Sequence, residues 1–155
     1  MTQLDYLHLV SDFDGKTIKM PFMLVPANSS IRILAQDYQL VLDPGADNTA
    51  LTRQFLKKNG YGKYQKTGSK KVTATGEVEL LTCEINGITL ANQYVFGEMK
   101  VDVLENWKSH AVVGVIGMDI ISQLTLILSH EYGKFMLTDQ KIPALAELFK
   151  SKSGF

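Results

Sequence analysis

The chain has 155 residues, 45% of them hydrophobic and 21% charged, which fits one globular domain with a sizeable core. Its 16 basic residues balance 16 acidic ones, so the charge gives no sign of a nucleic-acid partner or an anionic membrane surface. Neither a signal-peptide pattern nor a membrane-length apolar run occurs in the sequence, so we expect a soluble, cytoplasmic protein.

Short apolar or alternating runs, separated by turn residues, predict an all-β domain that covers residues 1–155. The predicted strands are residues 6–10, 17–24, 31–34, 39–42, 70–75, 77–85, 88–95, 112–116, 125–129 and 134–138. Asn86-Gly87 is predicted to form a two-residue hairpin turn, because both residue types accept positive φ. Similar turns are expected at Asp14-Gly15 and Tyr132-Gly133.

Three short helices interrupt this pattern. Thr52 can cap a helix over residues 53–58 that Asn59-Gly60 would end. One turn of helix is predicted over residues 118–124, and Pro143 can open an amphipathic C-terminal helix. The basic cluster at residues 63–71 is interrupted by polar residues, which favours a solvated hairpin or loop over a polyanion site.

Thiol and metal chemistry have little support in the sequence. Cys83 is the single cysteine, and its apolar flanks predict a buried, unreactive thiol within a strand. The three histidines, at positions 8, 110 and 130, lack the close spacing of a transition-metal site. We therefore expect no metal and no cofactor.

The most informative stretch is residues 43–49, Asp43-Pro44-Gly45-Ala46-Asp47-Asn48-Thr49, which directly follows the apolar run at residues 40–42. This order predicts an acidic turn at the end of a buried strand, where a carboxylate can be held rigidly. The carboxylate could act as an acid or base, cap a helix, or bind a metal. A helix cap is supported by Asp47 and Thr49, which lie just before the helical pattern.

A calcium loop is the weaker alternative for the same stretch. Asp43, Asp47 and Thr49 are spaced loosely like calcium ligands. However, Asn48 occupies the position of the glycine that such a loop needs, and Gln54 that of its bidentate glutamate.

Residues 42–49 resemble the Asp-Thr/Ser-Gly-Ala active-site loop of retropepsin-like aspartic proteases, a family with retroviral and bacterial members. Two further segments follow in the family's order. Val72-Thr73-Ala74-Thr75-Gly76-Glu77-Val78 is similar to the flap hairpin that closes over substrate. Val115-Ile116-Gly117, followed by Met118-Asp119-Ile120-Ile121, is similar to the segment and short helix that support the active-site loop.

The resemblance covers roughly residues 17–138 and implies a closed β-barrel-like fold with one catalytic aspartate, Asp43, in each chain. Two chains would then form a homodimer in which the two Asp43 carboxylates make a dyad that hydrolyses a peptide or protein substrate. By the same resemblance, Asp47 borders the substrate cleft, and Ala74, Thr75 and Gly76 form the tip of the flap.

Pro44 departs from the family pattern, in which a threonine or serine hydroxyl interlocks the two active-site loops. Proline has neither a hydroxyl nor an amide proton. Met118 also replaces an arginine of the retroviral members. An inactive retropepsin-like module that binds a peptide or protein is therefore the alternative function, and a purely structural Asp43 turn is a third interpretation.

Overall fold

The computed structural model describes residues 8–28, 38–74 and 76–151, which form twelve strands and three short helices. The strands are β1 His8–Asp12, β2 Lys19–Leu24, β3 Gln39–Leu42, β4 Ala50–Thr52, β5 Gln65–Thr73, β6 Gly76–Ile85, β7 Ile88–Leu90, β8 Tyr94–Phe96, β9 Met99–Leu104, β10 Val112–Ile116, β11 Thr125–Ser129 and β12 Lys134–Thr138. The helices are α1 Arg53–Lys58, α2 Met118–Ile121 and α3 Pro143–Ser151. None of the helices in these ranges has both the length and the apolar character needed to cross a membrane.

The chain divides into two compact units. Unit 1 comprises Met1–Lys16 and Ser122–Phe155, and unit 2 comprises Thr17–Ile121. The prediction of one domain over the whole chain stays a prediction.

Unit 2 contains a nine-stranded sheet in the order β5-β6-β9-β4-β10-β3-β2-β7-β8. Strand β10 lies between β3, to which it is parallel, and β4, to which it is antiparallel. Within the described residues the sheet runs from β5 to β8 and does not close on itself. The predicted β-rich class is confirmed, whereas a closed barrel is not.

Alternating burial along the strands builds the core of unit 2. Every second residue of β2 is buried, as its period-2 pattern of apolar side chains requires. Strand β3 alternates in the same way, and Leu40 is fully buried. The largest fully buried side chains of this unit are Met20, Leu40, Leu51, Leu56, Ile85, Ile88, Leu90, Ile116 and Ile120. This core fixes the strand ends from which the loop at residues 43–49 and the segment at residues 115–117 emerge.

Unit 1 contains a three-stranded antiparallel sheet in which β12 lies between β1 and β11. The predicted turn at Tyr132-Gly133 joins β11 to β12, and Gly133 has a φ of 59°. Lys134 and Asp12 form an ion pair across β12 and β1, which lowers the pKa of Asp12. Helix α3 begins at Pro143 as predicted.

Several predicted elements differ from the structure. The turn at Asn86-Gly87 does not make a hairpin, because β6 pairs with β5 and β9 whereas β7 pairs with β2 and β8. Gly87 instead accepts a backbone hydrogen bond from Val25 N–H at 2.9 Å, which directs the chain toward β2. The strand predicted at residues 88–95 is split into β7 and β8 by Ala91 and Asn92, whose φ angles are positive. The strand predicted at residues 31–34 lies outside the described residues.

Two strands were not predicted. β4 has only three residues and leads directly into α1, so it carries too short a pattern to be recognised. In β9 the buried residues Val101 and Val103 alternate with the charged residues Lys100 and Asp102, a signal that the sequence does contain. Both strands matter for the site, because β4 follows the loop at residues 43–49 and pairs with β9 and β10.

Candidate active site

Asp43 is the first residue after β3, and main-chain hydrogen bonds on both sides of it fix its position. Asp43 N–H donates to Ile116 O at 2.9 Å, and Leu42 N–H donates to Ile18 O at 2.8 Å. Parallel pairing of β3 with β10 thus extends to the aspartate itself. The predicted end-of-strand position of Asp43 is confirmed.

The carboxylate of Asp43 is held by its own loop. Gly45 N–H donates to Asp43 Oδ1 at 2.9 Å, and Ala46 N–H donates to Asp43 O at 3.1 Å, which makes a tight turn. Asp43 is half-buried, while Pro44 and Gly45 are exposed. A side chain added at Gly45 would place its Cβ 3.2 Å from Asp43 Oδ1. The turn therefore presents the carboxylate at the surface with one oxygen already oriented by a main-chain donor.

Thr49 ties the far end of the loop to α2. Thr49 N–H donates to both carboxylate oxygens of Asp119 at 3.0 Å, and its hydroxyl donates to Asp119 Oδ1 at 2.7 Å. The same hydroxyl accepts a hydrogen bond from Gly117 N–H at 3.2 Å. Charge-assisted hydrogen bonds of this kind are stronger than neutral ones, so Asp119 is a firm anchor for the loop.

The main chain of α2 makes two further hydrogen bonds to the loop. Met118 N–H donates to Ala46 O at 2.7 Å, and Asp119 N–H donates to Asp47 O at 3.1 Å. These N–H groups open the helix and have no partner within it, so the loop carbonyls satisfy them. The predicted loop and its predicted supporting segment are therefore in direct contact.

The supporting segment reaches the loop because Gly117 has no side chain. A Cβ at Gly117 would lie 2.4 Å from the main-chain carbon of Asn48, a distance that real Cβ atoms do not show. Ile116 is fully buried and Val115 is half-buried, so both belong to the packed support beneath the loop. This is the close backbone approach for which glycine is required.

Asp102 on β9 adds a second acidic group near Asp119. Burial raises the pKa of the Asp102 carboxyl, a hydrogen bond from Asn48 lowers it, and the charge of Asp119 raises it further. Asp102 N–H also donates to Thr49 O at 2.9 Å, so β9 contacts the loop through its main chain. Asp102 and Asp119 were not predicted as site residues, although Asp119 lies within the α2 segment that the sequence singled out.

The predicted flap corresponds to the hairpin of β5 and β6. Strand β6 pairs with β9 over residues 82–85, while its residues 76–79 pair only with β5. Ala74 and Gly76 are exposed near its tip, Gly76 has a φ of 124°, and Thr75 lies outside the described residues. In the sheet order β5 and β6 are separated from β3 by β9, β4 and β10. The approach of the flap to Asp43 stays a prediction.

The remaining predictions concern side chains around the site. The apolar residues that the sequence offers as a substrate pocket are Leu51, Val72, Val113 and Ile116; three of them are buried in the core, whereas Val72 is exposed on β5. Cys83 is buried in β6 as predicted, and burial raises the pKa of its thiol. The basic cluster lies largely on exposed β5, where Lys66 and Lys70 pair with acidic residues of β6. Within residues 8–28, 38–74 and 76–151, no three His, Cys, Asp or Glu side chains gather around a possible metal position.

Comparison with known protein families gives one match. The sequence model of the aspartyl protease family matches residues 29–120, which is more than half of the chain. The matched segment includes the loop at residues 43–49, the hairpin of β5 and β6, and Gly117. No curated protein sequence matches the chain.

Solved structures that resemble the chain include proteases and a protease-like domain. A retropepsin-like aspartic protease from Rickettsia conorii is 17% identical, with a TM-score of 0.60 over 84% of this chain and 89% of that chain. The retroviral protease-like domain of Ddi1 from Leishmania major is 16% identical, with a TM-score of 0.48 over 81% and 90%. EIAV protease bound to the inhibitor HBY-793 is 17% identical, with a TM-score of 0.46 over 72% and 92%. The Rickettsia structure shows that the fold is retropepsin-like.

Proposed function

Because this chain belongs to the aspartyl protease family, we propose that it is an aspartic endopeptidase whose catalytic dyad joins Asp43 from two copies of the chain. The observation that carries the proposal is the anchoring of Asp43. The main-chain N–H of Asp43 donates a hydrogen bond to Ile116 O, and the carboxylate accepts one from Gly45 N–H. The side chain nevertheless stays partly exposed. A reacting group held this firmly on a rigid strand end is what catalysis requires.

A homodimer is proposed because the sequence offers only one Asp-x-Gly loop after an apolar strand. Asp14-Gly15 lacks the intervening residue, and no apolar run directly precedes it. A two-fold axis that passes between the two exposed turns would bring the Asp43 carboxylates together. The site is then incomplete in either chain alone.

The chemistry follows from the closeness of the two carboxylates. Two such groups a few ångströms apart do not both ionise, so the dyad shares one proton. The ionised member accepts a proton from a bound water, while the protonated member donates a hydrogen bond to the peptide carbonyl oxygen. Water attacks the carbonyl carbon directly, and no cofactor is needed for this step.

Binding of the substrate is assigned to Asp47 and to the flap. Asp47 is exposed beside the catalytic turn, where it can contact the main chain of an extended peptide. The tip of the flap, including Ala74 and Gly76, is exposed on a two-stranded ribbon that few neighbours restrain. Such a ribbon can close over a peptide and open again to release products.

The direct test is cleavage of casein and of a mixed peptide library between roughly pH 4 and 7, comparing wild type with Asp43→Asn. We expect cleavage by the wild type and loss of at least about a thousandfold in kcat for the variant. Equal cleavage by both proteins would show that Asp43 is not the catalytic residue.

Pro44 supports one alternative, a retropepsin-like module that binds a peptide or protein without cleaving it. In the family a hydroxyl at this position links the two active-site loops, and Pro44 offers no donor for that link. This alternative predicts no turnover by the wild type. If only the Pro44→Thr variant cleaves substrate, the chain is a former enzyme. If the wild type and the variant both cleave it, the non-cleaving binding module is excluded.

A further inference from the structure

Unit 2 has a cavity of about 470 Å³ between α1 and the segment from Leu104 to Val113. The lining residues that characterise it are Tyr38, Phe55, Lys57, Lys58, Trp107 and Val113. Its volume lies in the range of sites that hold small ligands or a few side chains of a peptide. The proposed protease function does not account for it.

The cavity lies at the end of β3 opposite to Asp43. Tyr38 precedes β3 and lines the cavity, whereas Asp43 follows the same strand. The two residues are five steps apart along extended chain, which is roughly 16 Å. Gln39 N–H donates to Ala111 O at 2.9 Å, which holds the end of the lining segment beside Tyr38. The cavity is therefore distinct from the catalytic turn.

Hydrogen bonds fix the wall that contains Trp107. The indole Nε1–H donates to Val112 O at 2.6 Å, and Val112 N–H donates to Ser109 Oγ at 3.1 Å. Trp107 is still 39% exposed, which is unusual for a large aromatic side chain that is held in place. Phe55 and Val113, which also line the cavity, are buried. The lining of the cavity thus combines buried apolar side chains with an accessible aromatic one.

The charge of the cavity is positive. Arg53 is paired with Glu105 and lies over the ring of Tyr64 at 4.7 Å, so it is already engaged. In the described part of the chain, Lys57 and Lys58 have no acidic partner, although both are exposed at the end of α1. Glu105 is the one acidic residue of the lining, so the cationic excess is local in a chain of zero net charge.

We propose that this cavity binds a carboxylate that carries an aromatic or apolar group. The ammonium groups of Lys57 and Lys58 pair with the carboxylate, and the apolar group lies against Trp107. The carboxylate can belong to an acidic side chain of a peptide with a neighbouring aromatic residue, or to a free organic acid. Both sources share the chemistry that the cavity recognises, an anion joined to an apolar body.

Trp107 is the only tryptophan of the chain, so its fluorescence reports on this cavity alone. The probes are 3-phenylpropionate and the peptide acetyl-Glu-Phe-Glu-amide, each with its neutral match, 3-phenylpropionamide and acetyl-Gln-Phe-Gln-amide. Titrations use the full chain with Asp43→Asn, so that binding is measured without cleavage. We expect a saturable change in Trp107 emission with at least one acidic probe, and at least tenfold weaker binding of its neutral match.

Substitutions of the two lysines test whether the acidic probe binds in this cavity. Lys57→Gln combined with Lys58→Gln should weaken binding of the acidic probe about tenfold, as expected for two exposed ion pairs. The matched control, Lys16→Gln with Lys100→Gln, removes the same charge at exposed positions outside the cavity and should change the Kd by less than about twofold. Added salt should weaken binding to the Asp43→Asn protein and to the control variant alike.

Each outcome decides between possibilities. Binding of only the peptide, only the free acid, or both identifies the source of the carboxylate and supports the proposal. No saturable signal with either acidic probe, equal binding of the neutral probes, or equal weakening by the control pair overturns it. Because these titrations do not use catalysis, a failure here leaves the proposed protease function standing, and the reverse also holds.

Discussion

Thr49 is fully buried, and its hydroxyl both donates to Asp119 and accepts from Gly117 N–H. Thr49→Val keeps the shape of the side chain but leaves the Gly117 N–H unpaired in the interior. We expect unfolding free energy to fall by about 1–3 kcal/mol, the cost of an unsatisfied buried group. Urea unfolding measures this loss, and kcat should fall with it because the same bonds hold the loop that carries Asp43.

Thr67→Val is the matched control, because Thr67 is also hydrogen-bonded, to Leu80 O, but lies on the exposed strand β5. Water can replace its partner there, so its unfolding free energy should change by no more than about 0.5 kcal/mol. If Thr49→Val proved as mild as Thr67→Val, the Thr49–Asp119 contact would not be an anchor of the loop.

Asp102 gives a pH-dependent prediction. Burial and the charge of Asp119 raise the pKa of its carboxyl, partly offset by Asn48. The fold therefore favours the protonated form, and stability is lost as the pH rises from the ordinary pKa of an aspartate through the raised one. Asp102→Asn removes this penalty, so the Tm should rise at pH 7, by more than Glu98→Gln changes it, and stay unchanged near pH 3.

Thermal unfolding at the two pH values checks the Asp102 prediction. Glu98→Gln is the control, because it removes one negative charge at an exposed position. Glu98→Gln should shift the Tm by less than about 1 °C at pH 7. A Tm increase for Asp102→Asn of the same size at both pH values would mean that its effect is steric or conformational, and the electrostatic explanation would be wrong.

At the scale of residues, the sequence predicted the position of Asp43 and its loop but not the bonds that hold them. The turn residues and the preceding apolar run are local signals, and they were sufficient to predict the turn at Asp43 and Gly45 after β3, whereas the helix cap suggested at Asp47 or Thr49 is supplied by Thr52. The contact between Thr49 and Asp119 joins residues 70 positions apart, so no local pattern contains it. An acidic residue in the first turn of α2 was the only signal available for Asp119.

Among the elements, the junction of β10 with α2 determines where the loop lies. Gly117→Ala would place a Cβ 2.4 Å from the main chain of Asn48, which a rigid strand end cannot avoid. We expect this change to displace the loop, to lower the unfolding free energy by about 1–3 kcal/mol and to reduce kcat at least tenfold. Chemical unfolding and cleavage kinetics on the same sample measure both effects.

Gly62→Ala is the matched control, since a Cβ at Gly62 would meet no atom within 4 Å and its φ is not positive. Both stability and kcat should stay near wild type there. A tolerated Gly117→Ala would mean that the loop and α2 can separate without loss of function, which contradicts the support assigned to this junction.

The elements themselves were predictable where their pattern is local and long. Helix α1 has the predicted cap, since Thr52 Oγ1 accepts a hydrogen bond from Phe55 N–H at 3.2 Å. The hairpin prediction at Asn86-Gly87 was wrong because a turn sequence fixes local geometry but not the strands that pair beyond it. The pairing of β10 with both β3 and β4 also depends on long-range packing, which residue patterns do not encode.

At the scale of the whole molecule, each chain supplies one of the two carboxylates of the proposed site. Activity should then depend on the formation of pairs, and specific activity should rise with protein concentration. Pro44→Thr would restore one or two hydrogen bonds in each chain, each of about 1 kcal/mol. We expect this variant to shift the concentration dependence to at least tenfold lower protein concentration, measured by cleavage rate and by light scattering.

Mixing wild type with Asp43→Asn tests the shared site directly. Mixed pairs hold one aspartate and one asparagine at the dyad, so they lack the second carboxylate that the reaction requires. At about ninefold excess of the variant, with total protein high enough for pairing, random pairing leaves on the order of one tenth of the wild-type chains in wild-type pairs. Compared with wild type alone at that total concentration, cleavage per wild-type chain should therefore fall about tenfold. The same excess of serum albumin should leave it unchanged. Undiminished cleavage in the mixture would mean that one chain holds a complete site, and the dimeric dyad would have to be abandoned even if Asp43 remained essential.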